Sequence, residues 1–257
     1  MIHYLKKIFY LARVMTIRRM LDVRERVLDI FFPPRCAVCG EVIPVGEPQP
    51  CLDCKSCLPY VKPPYCMKCG KEVEREEDEY CQDCIEKERH YRRGFPVFRY
   101  EPPITESLLS FKYEGKKEYA TFYADEIYKR YGRRIGALGI DALIPVPIYK
   151  GKYYSRGYNQ AELIAIKLEK RMNIPVRNDI IARVRDTIAQ KDIQGQEREN
   201  NLKKAFACTG DVSGINRVLL VDDIYTTGAT IEACTNACIS SGIKEIYYTS
   251  VAIGKGN

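Results

Sequence analysis

Hydrophobic and polar positions change their rhythm near Phe95. After it, short apolar runs alternate with longer stretches in which apolar residues return every three or four positions. Runs of the first kind read as buried strands, the longer stretches as amphipathic helices. The pattern predicts an alternating edge strand over 95–100 and a helix over 107–131 with a break near Gly115. It continues with a strand over 142–147, a helix over 159–172, a short strand over 180–184, a strand over 217–224, a helix over 229–241 and a strand over 244–253. Apolar strands separated by amphipathic helices predict an α/β fold with a parallel sheet. Ligands of such sheets sit at the carboxyl ends of strands.

The stretch ahead of Phe95 has another organisation, set by cysteine. Cys36-x2-Cys39-Gly40, eleven residues, then Cys51-x2-Cys54 is followed by Cys66-x2-Cys69-Gly70, eleven residues, and Cys81-x2-Cys84. Each cysteine of the first set returns thirty residues later, so one small unit is used twice in tandem. A Cys-x2-Cys turn brings two thiolates to one tetrahedral Zn²⁺, and the glycine after it permits the positive φ that such a knuckle needs. The intervening stretches, 45–50 and 72–79, are too rich in proline and acid to form a core. Metal binding, worth roughly 10 to 16 kcal/mol per structural site, replaces that core. Four thiolates leave no open coordination position, so two structural zincs are expected, held by Cys36, Cys39, Cys51, Cys54, Cys66, Cys69, Cys81 and Cys84. Consecutive and crossed pairings of the cysteine pairs both satisfy this count, and equal spacing favours the consecutive one. Cys57 breaks the thirty-residue match and is left outside the sites; His90 reads as a surface linker residue, and Cys234 and Cys238 as small buried side chains.

Composition adds limits. The 257 residues are 46% hydrophobic and 29% charged, which excludes fibrous and wholly disordered classes. Without an export signal the default compartment is the reducing cytosol, where cysteines are more often metal ligands or redox groups than disulfides. The net charge of +7 is concentrated: residues 1–35 hold eight basic residues against three acidic ones, leaving the remainder nearly balanced. That balance argues against a basic coat wrapping duplex nucleic acid. Residues 1–32 read as a basic amphipathic helix with Ile8, Leu11, Met15, Leu21, Leu28 and Phe31 along one side, a face that packs on the protein or lies peripherally on a membrane. Arg13, Arg18 and Arg19 interrupt it, so it is neither a signal peptide nor a transmembrane segment. The domains expected are therefore 1–32, a tandem ribbon over 33–92, and an α/β domain over 95–257.

Candidate chemistry sits at the end of one strand. Val218-Leu219-Leu220-Val221 runs into Asp222-Asp223-Ile224-Tyr225-Thr226-Thr227-Gly228-Ala229-Thr230, where a helix opens. Two adjacent carboxylates at a strand end are costly unless they bind something, such as sugar hydroxyls or a hydrated metal. The Thr-Thr-Gly-Ala-Thr turn offers free backbone N–H groups, hydroxyls and the positive end of a helix dipole, which suit a phosphate dianion. Together they make a site for a phosphorylated sugar. No Gly-x4-Gly-Lys-Ser/Thr occurs, so a P-loop partner for the acidic strand is missing.

The stretch 218–230 resembles the phosphoribosyl pyrophosphate (PRPP) signature of type I phosphoribosyltransferases. Over 27–253 the chain resembles the ComF family of competence-associated phosphoribosyltransferase-like proteins, in which a double zinc ribbon precedes the transferase domain. The likeness includes Phe32-Pro33-Pro34-Arg35-Cys36, Leu58-Pro59-Tyr60, Pro145-Val146-Pro147, Arg156-Gly157-Tyr158-Asn159-Gln160 and Arg183-x-Arg185-Asp186-Thr187-x2-Gln190, then Arg198-x2-Asn201 and Ala205-Phe206. The resemblance implies that Asp222 and Asp223 hold the ribose 2′- and 3′-hydroxyls and that Thr226, Thr227, Gly228, Ala229 and Thr230 hold the 5′-phosphate. Tyr149 and Lys150 would face pyrophosphate and Mg²⁺, while Lys150 and Arg156 neutralise leaving-group charge. Arg183, Arg185, Thr187, Gln190 and Arg198 would belong to a lid that excludes water. The implied function is PRPP binding, with Mg²⁺-dependent transfer to an unassigned nucleophile, in a cytoplasmic protein of DNA uptake. The alternative is a non-enzymatic module that binds single-stranded DNA or competence-machinery proteins while its transferase fold senses PRPP. His3 and His90 are both placed away from the sheet, and residues 1–35 lack a cysteine to serve as a glutaminase nucleophile.

Overall fold

A computed structural model of the chain describes residues 33–44, 47, 49–184 and 205–255. The chain divides between Ser56 and Cys57 into two compact units. The helix expected over 1–32 lies outside the described residues.

In the first unit Arg35 bridges Val42 in antiparallel fashion. The Cys36 N–H donates to the Glu41 carbonyl (2.8 Å) and the Gly40 N–H to the Cys36 carbonyl (2.9 Å), with Gly40 at φ +76°. A one-turn helix, α1 (Leu52–Ser56), carries the second cysteine of the next pair. The second unit repeats these contacts in order. Tyr65 bridges Glu72, the Cys66 N–H donates to Lys71 (2.7 Å), the Gly70 N–H to Cys66 (2.9 Å), and α2 (Gln82–Glu86) follows. The sequence repeat is thus a structural repeat in these contacts.

Beyond α2 the second unit builds β1 (Arg93–Arg99), α3 (Ile104–Tyr113), α4 (Tyr119–Gly136), β2 (Ala142–Pro145) and α5 (Lys150–Arg156). Then come α6 (Gln160–Met172), β3 (Ile181–Arg183), β4 (Phe206–Cys208), β5 (Arg217–Tyr225), α7 (Ala229–Ser240) and β6 (Glu245–Ile253). Four strands form one parallel sheet in the order β1-β6-β5-β2, and β3 pairs antiparallel with β4. Gly115, at φ +72°, separates α3 from α4 at the predicted break. Asn159 starts α6 by accepting the Ala161 N–H at 3.1 Å.

The strand over β1 is at the sheet edge, as its position in the pattern predicts, yet Gly94 to Phe98 are all buried. The open edge is occupied: the Val61 N–H donates to Val97 (3.0 Å), the Arg99 N–H to Pro59 (2.8 Å) and the Gly94 N–H to Lys68 (2.8 Å). Covering an edge in this way removes its unpaired polar groups from solvent. The second ribbon is also part of the core on one face of the sheet, where Cys66, Cys69, Cys81 and Tyr91 cluster with Ile144, Leu220, Tyr248 and the Ile231 and Cys234 side chains of α7. Tyr248 is fully buried, and its hydroxyl donates to the Cys69 carbonyl at 2.7 Å. Helices α4 and α6 pack together and on the strands.

Candidate functional site

The two cysteine groups are resolved as consecutive sets, Cys36–Cys39–Cys51–Cys54 and Cys66–Cys69–Cys81–Cys84. Within each set every Sγ lies within 4.8 Å of the others. Tetrahedral Zn–S bonds of about 2.3 Å put sulfurs about 3.8 Å apart. The Cys39–Cys51 and Cys69–Cys81 sulfur separations, 3.9 and 3.5 Å, fit that geometry. Backbone N–H groups of Val38 and Cys69 approach the Cys36 and Cys66 sulfurs at 3.4 and 3.5 Å, as thiolates require. The residues therefore fit two Zn²⁺ sites. Cys57 is exposed and outside both sets, while Cys234 and Cys238 are fully buried on α7.

The second feature is built where β5 leaves the sheet. Four residues, Val218 to Val221, are completely buried between neighbouring strands, and the polar residues begin where that burial ends. Asp222 is in register with Ser250 of β6, and the Asp223 N–H donates to Asp222 Oδ1 at 2.8 Å. Burial, and then the adjacent Asp223 carboxylate, push the Asp222 carboxyl up to about 8. Asp223 is held by Lys112, whose Nζ stands 3.1 Å from Oδ2 with both side chains 15% exposed. Lys112 comes from the last turn of α3, more than a hundred residues away in sequence, and the sequence pattern does not single it out.

Lys152 sits among further cations, one of which, Lys112, is the partner of Asp223. Partial desolvation, and then the charges of Arg156, Arg183 and Lys112, hold the Lys152 ammonium below its ordinary range. Arg156 is positioned from two sides: Nη1 donates to Gln160 Oε1 and Nη2 to the Tyr113 hydroxyl, each at 3.1 Å, and its guanidinium lies 5.0 Å from the Tyr113 ring centre. Lys150 is exposed on the first turn of α5, with Tyr149 half-buried before it. Helix α5 buries no residue, which is why periodicity does not reveal it. Of the segment expected to close over the site, Arg183 ends β3 with its guanidinium 5.5 Å from the Phe206 ring centre. Arg185, Thr187, Gln190 and Arg198 lie outside the described residues.

The turn after β5 has the form that phosphate capture needs. Thr226 and Thr227 are exposed, Gly228 is buried at φ +76°, and α7 begins at Ala229. A Cβ on Gly228 would stand 2.1 Å from the Tyr225 hydroxyl, so no other residue fits there without displacement. The Ala229 N–H approaches Thr227 Oγ1 at 3.4 Å, while the other N–H groups of the first turn of α7 have no acceptor within the helix and are open to an anion. His90, read from sequence as a surface linker residue, is exposed and also contacts this helix: its N–H donates to the Glu232 carboxylate at 3.1 Å, and its Nδ1 pairs with Glu232 Oε1.

Residues 27–85 match the Double zinc ribbon domain family. Competence protein F of Haemophilus influenzae is 31% identical over 173 residues, covering 65% of this chain and 76% of that protein. The DNA utilization protein YhgH of Escherichia coli K12 is 26% identical, covering 62% of this chain and 70% of its own length. Competence protein ComFC of Bacillus subtilis is 26% identical, covering 59% and 60%. Among solved structures, a purine phosphoribosyltransferase from Pyrococcus horikoshii aligns with a TM-score of 0.31 at 17% identity, covering 52% of this chain and 88% of that one.

Proposed function

Because the chain belongs to the ComF family of competence proteins, we propose that its α/β unit binds PRPP together with Mg²⁺ and acts in the handling of DNA during uptake. The observation that carries the proposal is the convergence of opposite chemistries at one strand end. Asp223 pairs with Lys112, Lys112 shares its surroundings with Lys152, Arg156 and Arg183, and a glycine-containing turn follows on the same strand and opens a helix. A sugar diol suits the carboxylates, a monophosphate suits the turn, and a pyrophosphate suits the cations. PRPP carries all three groups. Mg²⁺ would neutralise pyrophosphate charge as it leaves. The protein's own residues orient the ribose through Asp222 and Asp223 and receive negative charge at Lys152 and Arg156.

Thermal unfolding with PRPP and Mg²⁺ tests this reading. The wild-type melting temperature should rise and the double variant Asp222→Asn/Asp223→Asn should not follow. An unchanged wild type, or an equal rise in the variant, contradicts it. Its place in DNA uptake is tested by transformation frequency in a naturally competent host carrying the same variant, which should fall to that of a strain lacking the gene.

A further inference from the structure

Three successive residues after the second cysteine cluster each grip a different part of the phosphate-binding turn. Arg89 Nη2 donates to the Thr227 carbonyl at 2.6 Å. The His90 N–H donates to the Glu232 carboxylate in the first turn of α7. The Tyr91 hydroxyl meets the Tyr225 hydroxyl at 2.9 Å, and that Tyr225 ring stacks on Tyr248, 4.9 Å between centres. Residues 225, 227 and 232 thus flank Gly228 and Ala229 on both sides. Immediately afterwards, the Arg92 N–H joins Ile246 of β6, so the segment is tied to the sheet as well.

The Arg89 contact is unusual in what it occupies. Thr227 is exposed, and water would satisfy its carbonyl. Instead a guanidinium only 9% exposed is directed at it, with its Nε buried and without a partner among the described residues. Burial costs the guanidinium its hydration, but nearby groups, Glu232 among them, more than offset that cost, so Arg89 reaches the Thr227 carbonyl as a charged donor. A trans peptide is planar, with its C=O and N–H directed oppositely. Fixing the Thr227 carbonyl on Arg89 therefore fixes the Gly228 N–H on the far side of the same plane. A charged donor on the carbonyl also polarises the peptide and strengthens that N–H as a donor.

We propose that Arg89 is a positioning residue of the phosphate site: by holding the Thr227 carbonyl it aims the Gly228 N–H at the 5′-phosphate of the ligand. The inference rests on the PRPP reading above. Arg89 does not touch the ligand, and the Tyr91–Tyr225 and His90–Glu232 contacts keep its segment in place. It assigns the stretch between ribbon and sheet to the binding site.

Calorimetric titration of the full chain with ribose 5-phosphate, pyrophosphate and PRPP, all with Mg²⁺, separates the possibilities. Arg89→Ala should weaken ribose 5-phosphate and PRPP roughly tenfold, the worth of one charge-assisted hydrogen bond. Pyrophosphate affinity should stay at the wild-type value, because the cations from α3, α5 and β3 are not held by this contact. Arg89→Lys, which retains a charged donor, should recover part of the loss. Unaltered ribose 5-phosphate affinity in Arg89→Ala overturns the proposal, and so does an equal loss for pyrophosphate, which indicates only a damaged fold. If wild type binds neither PRPP nor ribose 5-phosphate, the underlying reading fails first.

Discussion

Asp222 illustrates how one side chain's surroundings make a chemical prediction. Its carboxyl is pushed up to about 8 by burial and the Asp223 charge, against about 4 in an unfolded chain. Between those values the folded protein holds a proton that the unfolded chain has released. Stability from this group is therefore greatest at the acid end and falls as pH rises through the window, the cost of the buried charge being complete above about pH 8. Asp222→Asn should flatten this slope between about pH 5 and 8, read as midpoints of denaturant unfolding across pH. A slope as steep as in wild type would show that the carboxyl is not the group responsible. Gly228 gives a second prediction of this kind. Its positive φ and the 2.1 Å approach to Tyr225 mean that Gly228→Ala should cost about 1 to 3 kcal/mol in stability and abolish phosphate binding. Thermal unfolding reads the first effect and titration with ribose 5-phosphate the second.

At the scale of elements, the two ribbons are alike internally and differ in their surroundings. The second contributes Cys66, Cys69 and Cys81 to the core of the sheet's unit and accepts the Tyr248 hydroxyl on its Cys69 carbonyl. Cys81→Ser/Cys84→Ser should therefore raise hydrogen exchange in β1 and β6, whereas Cys51→Ser/Cys54→Ser should leave those strands protected. Equal exchange in the two variants would mean that the second ribbon does not support the sheet. Much at this scale was legible beforehand. The thirty-residue cysteine repeat specified both ribbons, since thiolate spacing is a local property, and the break at Gly115 fell where local chemistry put it, while the helix expected from Asn159 begins at Gln160 with Asn159 as its cap. Helix α5 escaped because it buries nothing, and β4 because three residues are too few for a period. Lys112, Tyr113 and Arg89 reach the site through tertiary packing alone, and no spacing in the chain announces them.

Taken whole, the molecule joins metal-organised and sheet-organised segments in one chain, with its candidate chemistry at the carboxyl end of the central strand β5. The twelve cysteines account for two Cys₄ groups and four further thiols, so roughly two zincs per chain should be found by elemental analysis, and chelation should release both. Among the described residues no helix is long and apolar enough to cross a membrane. If the acidic pair, the cations and the turn form one PRPP site, calorimetric titration of zinc-replete protein with PRPP and Mg²⁺ should show saturable binding of one PRPP per chain, lost in Asp222→Asn/Asp223→Asn with zinc content unchanged; no heat of binding in wild type, or undiminished binding in that variant, would mean that they do not.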